Sequence, residues 1–186
     1  MHVEPNIADS ELLERLLGVF REHGYDGASL RRLSERSGLQ RSSLYHRFPG
    51  GKEQIALAVV RYVDRCFQQK VLGPLDEDRP PAARVHTMAA GLRDFYRDGR
   101  LSCVLDTLSL GGSDGPLHQA VKRSFLAWRD ALSRLASQAG CAADEAVRRA
   151  DEALVRIEGA LVCARITGDT GPFVRTLDEL PSLLTS

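Results

Sequence analysis

Apolar residues recur at intervals of three and four along nearly the whole chain, and no stretch of useful length alternates apolar with polar. A spacing near 3.6 gathers apolar side chains on one helical face, whereas a half-buried strand needs a period of two. The chain is therefore expected to be all-α, with about nine helices. Leu12, Leu13, Leu16, Leu17 and Phe20 mark the first, with Asp9 and Ser10 as capping candidates and Gly24 as its end. Ser29 is placed to cap a short second helix, LRRLSERS, which turns Leu30 and Leu33 inward and stops at Gly38. A third helix follows within a few residues and cannot pass Pro49, which lacks an amide donor and clashes with the preceding turn. A fourth pattern runs from Gly51 through Ile55, Val59, Val63 and Phe67 towards Gly73 and Pro74. Beyond LDEDRPP, helical patterns cover about 82–98, 101–111, 116–138, 143–167 and 173–184.

Composition narrows the class. At 43% hydrophobic and 27% charged, the 186 residues hold enough apolar material for a core and are too polar for a membrane protein. The longest apolar run, Ile55 to Val60, falls far short of the roughly 20 residues that cross a bilayer. The first residues, MHVEPNIADSELLERLL, carry no basic region followed by an apolar core. A cytoplasmic protein with no membrane partner is expected. Cys66, Cys103, Cys141 and Cys163 form no CxxC pair, so they read as reduced, partly buried small hydrophobes, with a disulfide or redox sensor as the other reading.

Catalytic signatures are missing. The histidines at 2, 23, 46, 86 and 118 show no HExxH spacing, no GxSxG occurs, and GGKE has neither the spacing nor the hydroxyl residue of a phosphate-binding loop. No catalytic residue, metal or cofactor is expected, and the chain reads as a non-enzyme.

Formal net charge is zero, yet between residues 31 and 52 Arg31, Arg32, Arg36, Arg41, Arg47 and Lys52 face only one acid, Glu35. Two short helices joined by a glycine turn are the pattern of a helix-turn-helix, whose second helix enters the major groove. At 100° per residue, Leu44 and Phe48 fall within about 40° of each other, with Ser42 and His46 nearly opposite and Ser43 and Tyr45 flanking. Arg41 has the reach for a bidentate contact to guanine, while Ser42 and Ser43 permit close approach. Tyr45, Arg47 and Lys52 suit phosphate oxygens, and the fourth helix adds amides at Gly50, Gly51 and Lys52. Ser29 and Arg31 are placed to do likewise at the start of the second helix. A plain solvated surface is the competing reading, as is a helical interaction module that binds an acidic protein partner.

The stretch from Leu16 to Val60, above all GYDGASLRRLSERSGLQRSSLYHRFPGGKEQI, resembles the DNA-binding head of the TetR family of bacterial transcriptional regulators. The GY closing the first helix, the aromatic pair in LYHRF and the following GGK fall in register. PGGK together with EGALVCARITGDTGP resembles the LmrA/YxaF-like branch. Gln40 stands where the family usually has a capping serine, Ser42 where glycine is common and Arg47 where histidine is frequent. The resemblance implies a DNA-binding domain over residues 1–52 and an effector-binding and dimerisation domain over 53–186. It implies a homodimer on a double-stranded, near-palindromic DNA operator, usually as a repressor, and a small-molecule effector that releases it. Phe95, Tyr96, Cys103, Leu105, Phe125, Trp128, Val162 and Ile166 are candidate effector contacts. Ile157, Gly159, Ala160, Cys163, Phe173 and Leu177, with Val174, are candidates for the dimer interface. Both sets are equally compatible with an ordinary monomer core.

Overall fold

The structure is a computed structural model that describes residues 8–109 and 115–186, and among these every regular element is helical. The elements are α1 (Asp9–Gly27), α2 (Leu30–Ser37), α3 (Arg41–Arg47) and α4 (Gly51–Phe67). A π-helical turn, Gln68–Leu72, and a 3-10 turn, Gly73–Asp76, follow. Then come α5 (Pro81–Tyr96), α6 (Val104–Ser109), α7 (Pro116–Gln138), α8 (Ala143–Thr167) and α9 (Gly171–Thr185). None of the described helices is long and apolar enough to cross a membrane.

Three expectations about boundaries need correction. The first helix is entered from Ala8 without a side-chain cap, so Asp9 and Ser10 already lie in its first turn, where the Asp9 carboxylate meets the positive end of the helix dipole. Gly24 does not end it but kinks it, at φ 66° and ψ −175°, and the chain coils on to Gly27. The sixth helix is shorter than its apolar pattern, starting only at Val104; residues 110 and 111 of the expected span lie outside the described residues.

The chain divides into two units, Met1–Asp64 with Val104–Lys122, and Arg65–Cys103 with Arg123–Ser186. In the first, Leu12, Leu16 and Phe20 of α1 bury against a core that includes Leu33, Leu44, Ile55 and Val59. This unit reaches beyond residue 52 for a packing reason: α4 buries Ile55, Ala56, Val59, Val60 and Val63, and α6 packs on α1. At the kink, the Thr107 carbonyl lies 3.6 Å from where a β-carbon on Gly24 would stand.

The second unit is built on α5, α8 and α9. Phe173, Leu177, Leu180 and Leu184 of α9 are all buried, and α9 packs on both α5 and α8. Arg84 is buried at 8% exposure and ties two distant segments together, donating from Nη1 to the Leu75 carbonyl and to Gln138 Oε1, each at 2.7 Å. At Gly91 the missing side chain is itself the packing device, since a β-carbon there would lie 2.2 Å from the Lys70 carbonyl oxygen. That neighbour does not yield easily, because it is backbone of the packed π-helical turn. Gly91→Ala is expected to lower unfolding free energy by about 1–3 kcal/mol or more, measured by urea denaturation against the wild type.

Candidate nucleic-acid interface

A helix of seven residues does not hold its shape in water by itself, so α3 depends on what fastens its ends and its inner face. The turn before it is locked by two serines. Ser37 Oγ donates to the Ser34 carbonyl at 2.9 Å and accepts from the Leu39 amide at 3.2 Å, while Ser34 Oγ donates to the Leu39 carbonyl at 2.7 Å. Gly38 sits at φ 74°, a left-handed conformation that side-chain-bearing residues resist, and closes α2 by donating to the Ser34 carbonyl. Arg15 of α1 donates to the Ser37 carbonyl at 3.2 Å. Upstream, Ser29 caps α2 by accepting from the Arg32 amide. Gln40, in contrast, makes no side-chain cap at the start of α3.

The inner face of α3 is anchored by Leu44, which is 2% exposed, and the turn leading into α3 is pinned by Leu39 at 5%. Phe48 is only half-buried; it ends the helix as its cap, donating its amide to the Leu44 carbonyl, so Leu44 alone serves as the sealed anchor expected of the pair. On the outer side Arg41, Ser42, Tyr45, His46 and Arg47 are exposed and Ser43 is half-buried. The Tyr45 side reaches 48% exposure. Thus the division of faces inferred from spacing is present in three dimensions.

Most cations around this face are held by local partners. Arg31 donates to Glu35 at 2.8 Å, a bond that raises its pKa, and Arg32 donates to the Gly27 carbonyl at 2.8 Å. Arg47 reaches Asp9 at 3.4 Å. Lys52 donates from Nζ to the Tyr25 carbonyl at 3.0 Å and lies 4.3 Å from the centre of the Tyr25 ring. Burial, reinforced by the carboxylates of Glu53 and Asp26, pushes the Tyr25 phenol up. Arg41 has no hydrogen-bond or ion-pair partner among the described residues. The amides at Gly50 and Gly51 are not free as anticipated: Gly50 donates to Gln54 Oε1 at 2.6 Å and Gly51 to the Phe48 carbonyl at 2.9 Å.

Four of the effector candidates come together in the second unit. Trp128 stands 4.9 Å from Phe67 and 6.5 Å from Phe125, Phe67 stands 5.3 Å from Phe95, and Phe95 leads through Tyr96 to Phe173. Cys103 is buried. The others disperse: Leu105 belongs to α6 of the first unit, Val162 is half-buried on α8, and Ile166 is 76% exposed. Phe67 was missed as a cluster member because its spacing on α4 reads as one more core position.

The dimer candidates also divide. Ile157, Ala160, Phe173 and Leu177 are 0%, 7%, 0% and 1% exposed and fill the protomer's own core between α8, α9 and α5. Only Gly159 and Cys163 face outward. They lie on a stripe with Val155, which is 72% exposed, Val162 and Ile166, within an arc of about 100° on α8. Cys163 thereby departs from the buried reading of the cysteines, none of which forms a disulfide among the described residues. Among the described residues no group of three or more His, Cys, Asp or Glu is placed to hold a metal ion.

Comparison with known proteins agrees with this layout. Residues 12–59 match the family described as bacterial regulatory proteins of the tetR family, and residues 81–179 match the C-terminal domain of LmrA/YxaF-like transcriptional regulators. The chain is 24% identical to the HTH-type transcriptional regulator LmrA of Bacillus subtilis over 94% of this chain and 95% of LmrA. Over 58 residues, 31% of this chain and 30% of the relative, it is 43% identical to the HTH-type transcriptional repressor AcnR of Corynebacterium glutamicum. In fold it is similar to a TetR transcriptional regulator from Legionella pneumophila, with a TM-score of 0.84, 16% identity, and coverage of 97% of this chain and 100% of that one.

Because α3 hangs on one sealed side chain, Leu44→Ala is expected to cost about 2–5 kcal/mol of stability, whereas Ser42→Ala stays within about 0.5 kcal/mol; thermal and urea unfolding of the two variants measures the contrast.

Proposed function

Because the chain belongs to the TetR family of bacterial transcriptional regulators, in its LmrA/YxaF-like branch, we propose that it acts as a ligand-released repressor, holding a near-palindromic operator as a homodimer. The observation that carries the reading is the split of α3, with Leu44 sealed below and Arg41, Ser42, Tyr45 and His46 open above. A groove-reading helix needs one fastened face and one polar face free to meet base edges.

Role assignments follow from what each side chain has left to offer. Arg41, with no partner to give up among the described residues, takes the bidentate contact to a guanine edge. Ser42, Ser43 and His46 lie on or beside the groove-facing side, and Tyr45 donates to a phosphate. Arg47 exchanges Asp9 for a phosphate at little cost, since exposed ion pairs are worth about 0–1 kcal/mol. An ammonium has three donors, so Lys52 meets a phosphate while keeping its bond to Tyr25. Ser29 and Arg31 serve the backbone at the start of α2. Residues 1–52 are the DNA-reading part of this scheme and 53–186 the part that dimerises and takes the effector.

The second copy docks on the outward stripe of α8. Val155 and Ile166 are large apolar side chains left in water, and nothing stands within 4 Å of a β-carbon built on Gly159, so a partner helix has room to approach there. Two-fold symmetry then sets two α3 helices about 34–36 Å apart, one turn of B-DNA. The effector enters the aromatic cluster. A ligand moves the equilibrium only if it binds the DNA-incompetent arrangement better, and a coupling of about 1–3 kcal/mol changes operator affinity roughly 5- to 150-fold. The lever is α4, which carries Lys52 in its first turn and Phe67 as its last residue.

Selection from a random DNA pool is expected to return an inverted repeat, with affinity falling steeply as salt rises. Arg41→Ala then relaxes base preference at one position per half-site by about 1–3 kcal/mol, while Lys52→Ala weakens all sequences alike. Recovery of no repeat, or a flat salt dependence, contradicts the reading. For the dimer, Gly159→Leu is expected to leave the protomer folded, since its surroundings are open, but to yield monomers in light scattering and to weaken operator binding; a dimer that survives it removes α8 from the interface.

A further inference from the structure

A lysine carries its charge at the end of a flexible four-carbon stem, and whatever it binds must first order that stem. Lys52 is held by two groups of one residue. Its Nζ donates to the Tyr25 carbonyl at 3.0 Å and lies 4.3 Å from the centre of the Tyr25 ring. That carbonyl belongs to the last turn of α1, where carbonyls have no amide of their own helix to accept from. The Ser29 amide, four residues on, goes instead to the Gly27 carbonyl at 3.0 Å. The last turn of α1 contains no basic residue of its own, so the cation comes from α4, 27 residues along the chain. The ring is fixed in its turn: it lies nearly parallel to Phe20, with planes 9° and centroids 6.4 Å apart, and Phe20 is fully buried.

We propose that Tyr25 is a positioning residue for DNA binding, whose ring holds the Lys52 ammonium where a backbone phosphate meets it. An ammonium has three donors. The carbonyl takes one, and the attraction to the ring face is electrostatic and needs no acceptor, so donors remain for the phosphate. Because the stem is ordered before DNA arrives, less of the contact energy goes into ordering it. A phosphate carries no sequence information, so Tyr25 governs affinity and leaves base preference alone. The inference rests on the DNA-binding reading above and adds to it a residue that acts through Lys52.

The test uses the full chain, the inverted repeat returned by selection, and single-base variants of that repeat. Tyr25→Leu removes the ring but not the carbonyl, and is expected to weaken binding to all of these DNAs alike by about 3- to 10-fold. Tyr25→Phe keeps an aromatic face and is expected to stay within about twofold of the wild type. In a Lys52→Ala background Tyr25→Leu is expected to have no further effect, since the two residues act as one unit. A merely structural role predicts the reverse: an effect that persists without Lys52 and erodes base preference. Wild-type chain supplies a second measurement, which decides the matter even if Tyr25→Leu fails to fold. The Lys52 ε-methylene protons, next to the ring, are expected to resonate upfield of ordinary lysine and to stay there in the operator complex. Unchanged or tighter binding by Tyr25→Leu, a loss of base preference, an equal loss without Lys52, or a Tyr25→Phe variant as weak as Tyr25→Leu overturns the proposal. So do ε-methylene protons that show no upfield shift or lose it when operator binds. Each of these, with wild type still bound to operator, fails this inference alone; wild type that binds no DNA fails the regulator reading and this inference with it.

Discussion

Everything in the first unit serves to hold seven residues still. The α3 helix has too few internal hydrogen bonds to persist alone, so its order is borrowed from the Leu44 side chain beneath it and from the turn that delivers it. That turn is rigid because each polar group in it is used: the hydroxyls of Ser34 and Ser37 join it to itself, Gly38 takes a conformation few other residues tolerate, and Arg15 fastens it to α1. In the proposed DNA-reading role, α3 is ordered before any ligand arrives, which leaves more of the contact energy for discrimination.

Charge is arranged by the same logic. The excess of cations between residues 31 and 52 is not an undifferentiated basic patch, because Arg31, Arg32, Arg47 and Lys52 already have partners at hand. Those partners are carboxylates and carbonyls at the surface, where an exchange for a phosphate costs little. Among the described residues, Arg41 stands apart in this segment as a cation with no hydrogen-bond or ion-pair partner. A chain of zero net charge can thus offer a locally cationic face without the indiscriminate attraction to nucleic acid that a basic protein suffers.

Helical spacing alone was sufficient to place α7 and α8, since long amphipathic runs bounded by proline and glycine leave little freedom in where they begin and end. The Ser29 cap and the Gly38 stop were equally legible, because each depends on chemistry within four residues. Caps at Asp9 and Ser10 failed because the helix is entered one residue earlier, from Ala8, a boundary shift that the capping rule does not resolve. The amides of Gly50 and Gly51 were likewise lost to Gln54 and Phe48 through a turn whose exact path the sequence does not specify. Family resemblance, carried by short motifs, identified the kind of protein but did not say which side of α8 faces water.

What the sequence by itself determined is the set of helices and the polar and apolar faces of α3, because both follow from periodicity along a single element. Only the tertiary structure decided the assignment of two apolar faces on α8, one carrying Ile157 and Ala160 and the other Val155, Gly159 and Ile166. It likewise brought Phe67, Phe95, Phe125 and Trp128 from three helices into one aromatic cluster. The physical reason is that a helix's own pattern states which residues avoid water but not what they meet instead, and the choice between core and interface is made by the neighbours that arrive from elsewhere in the chain.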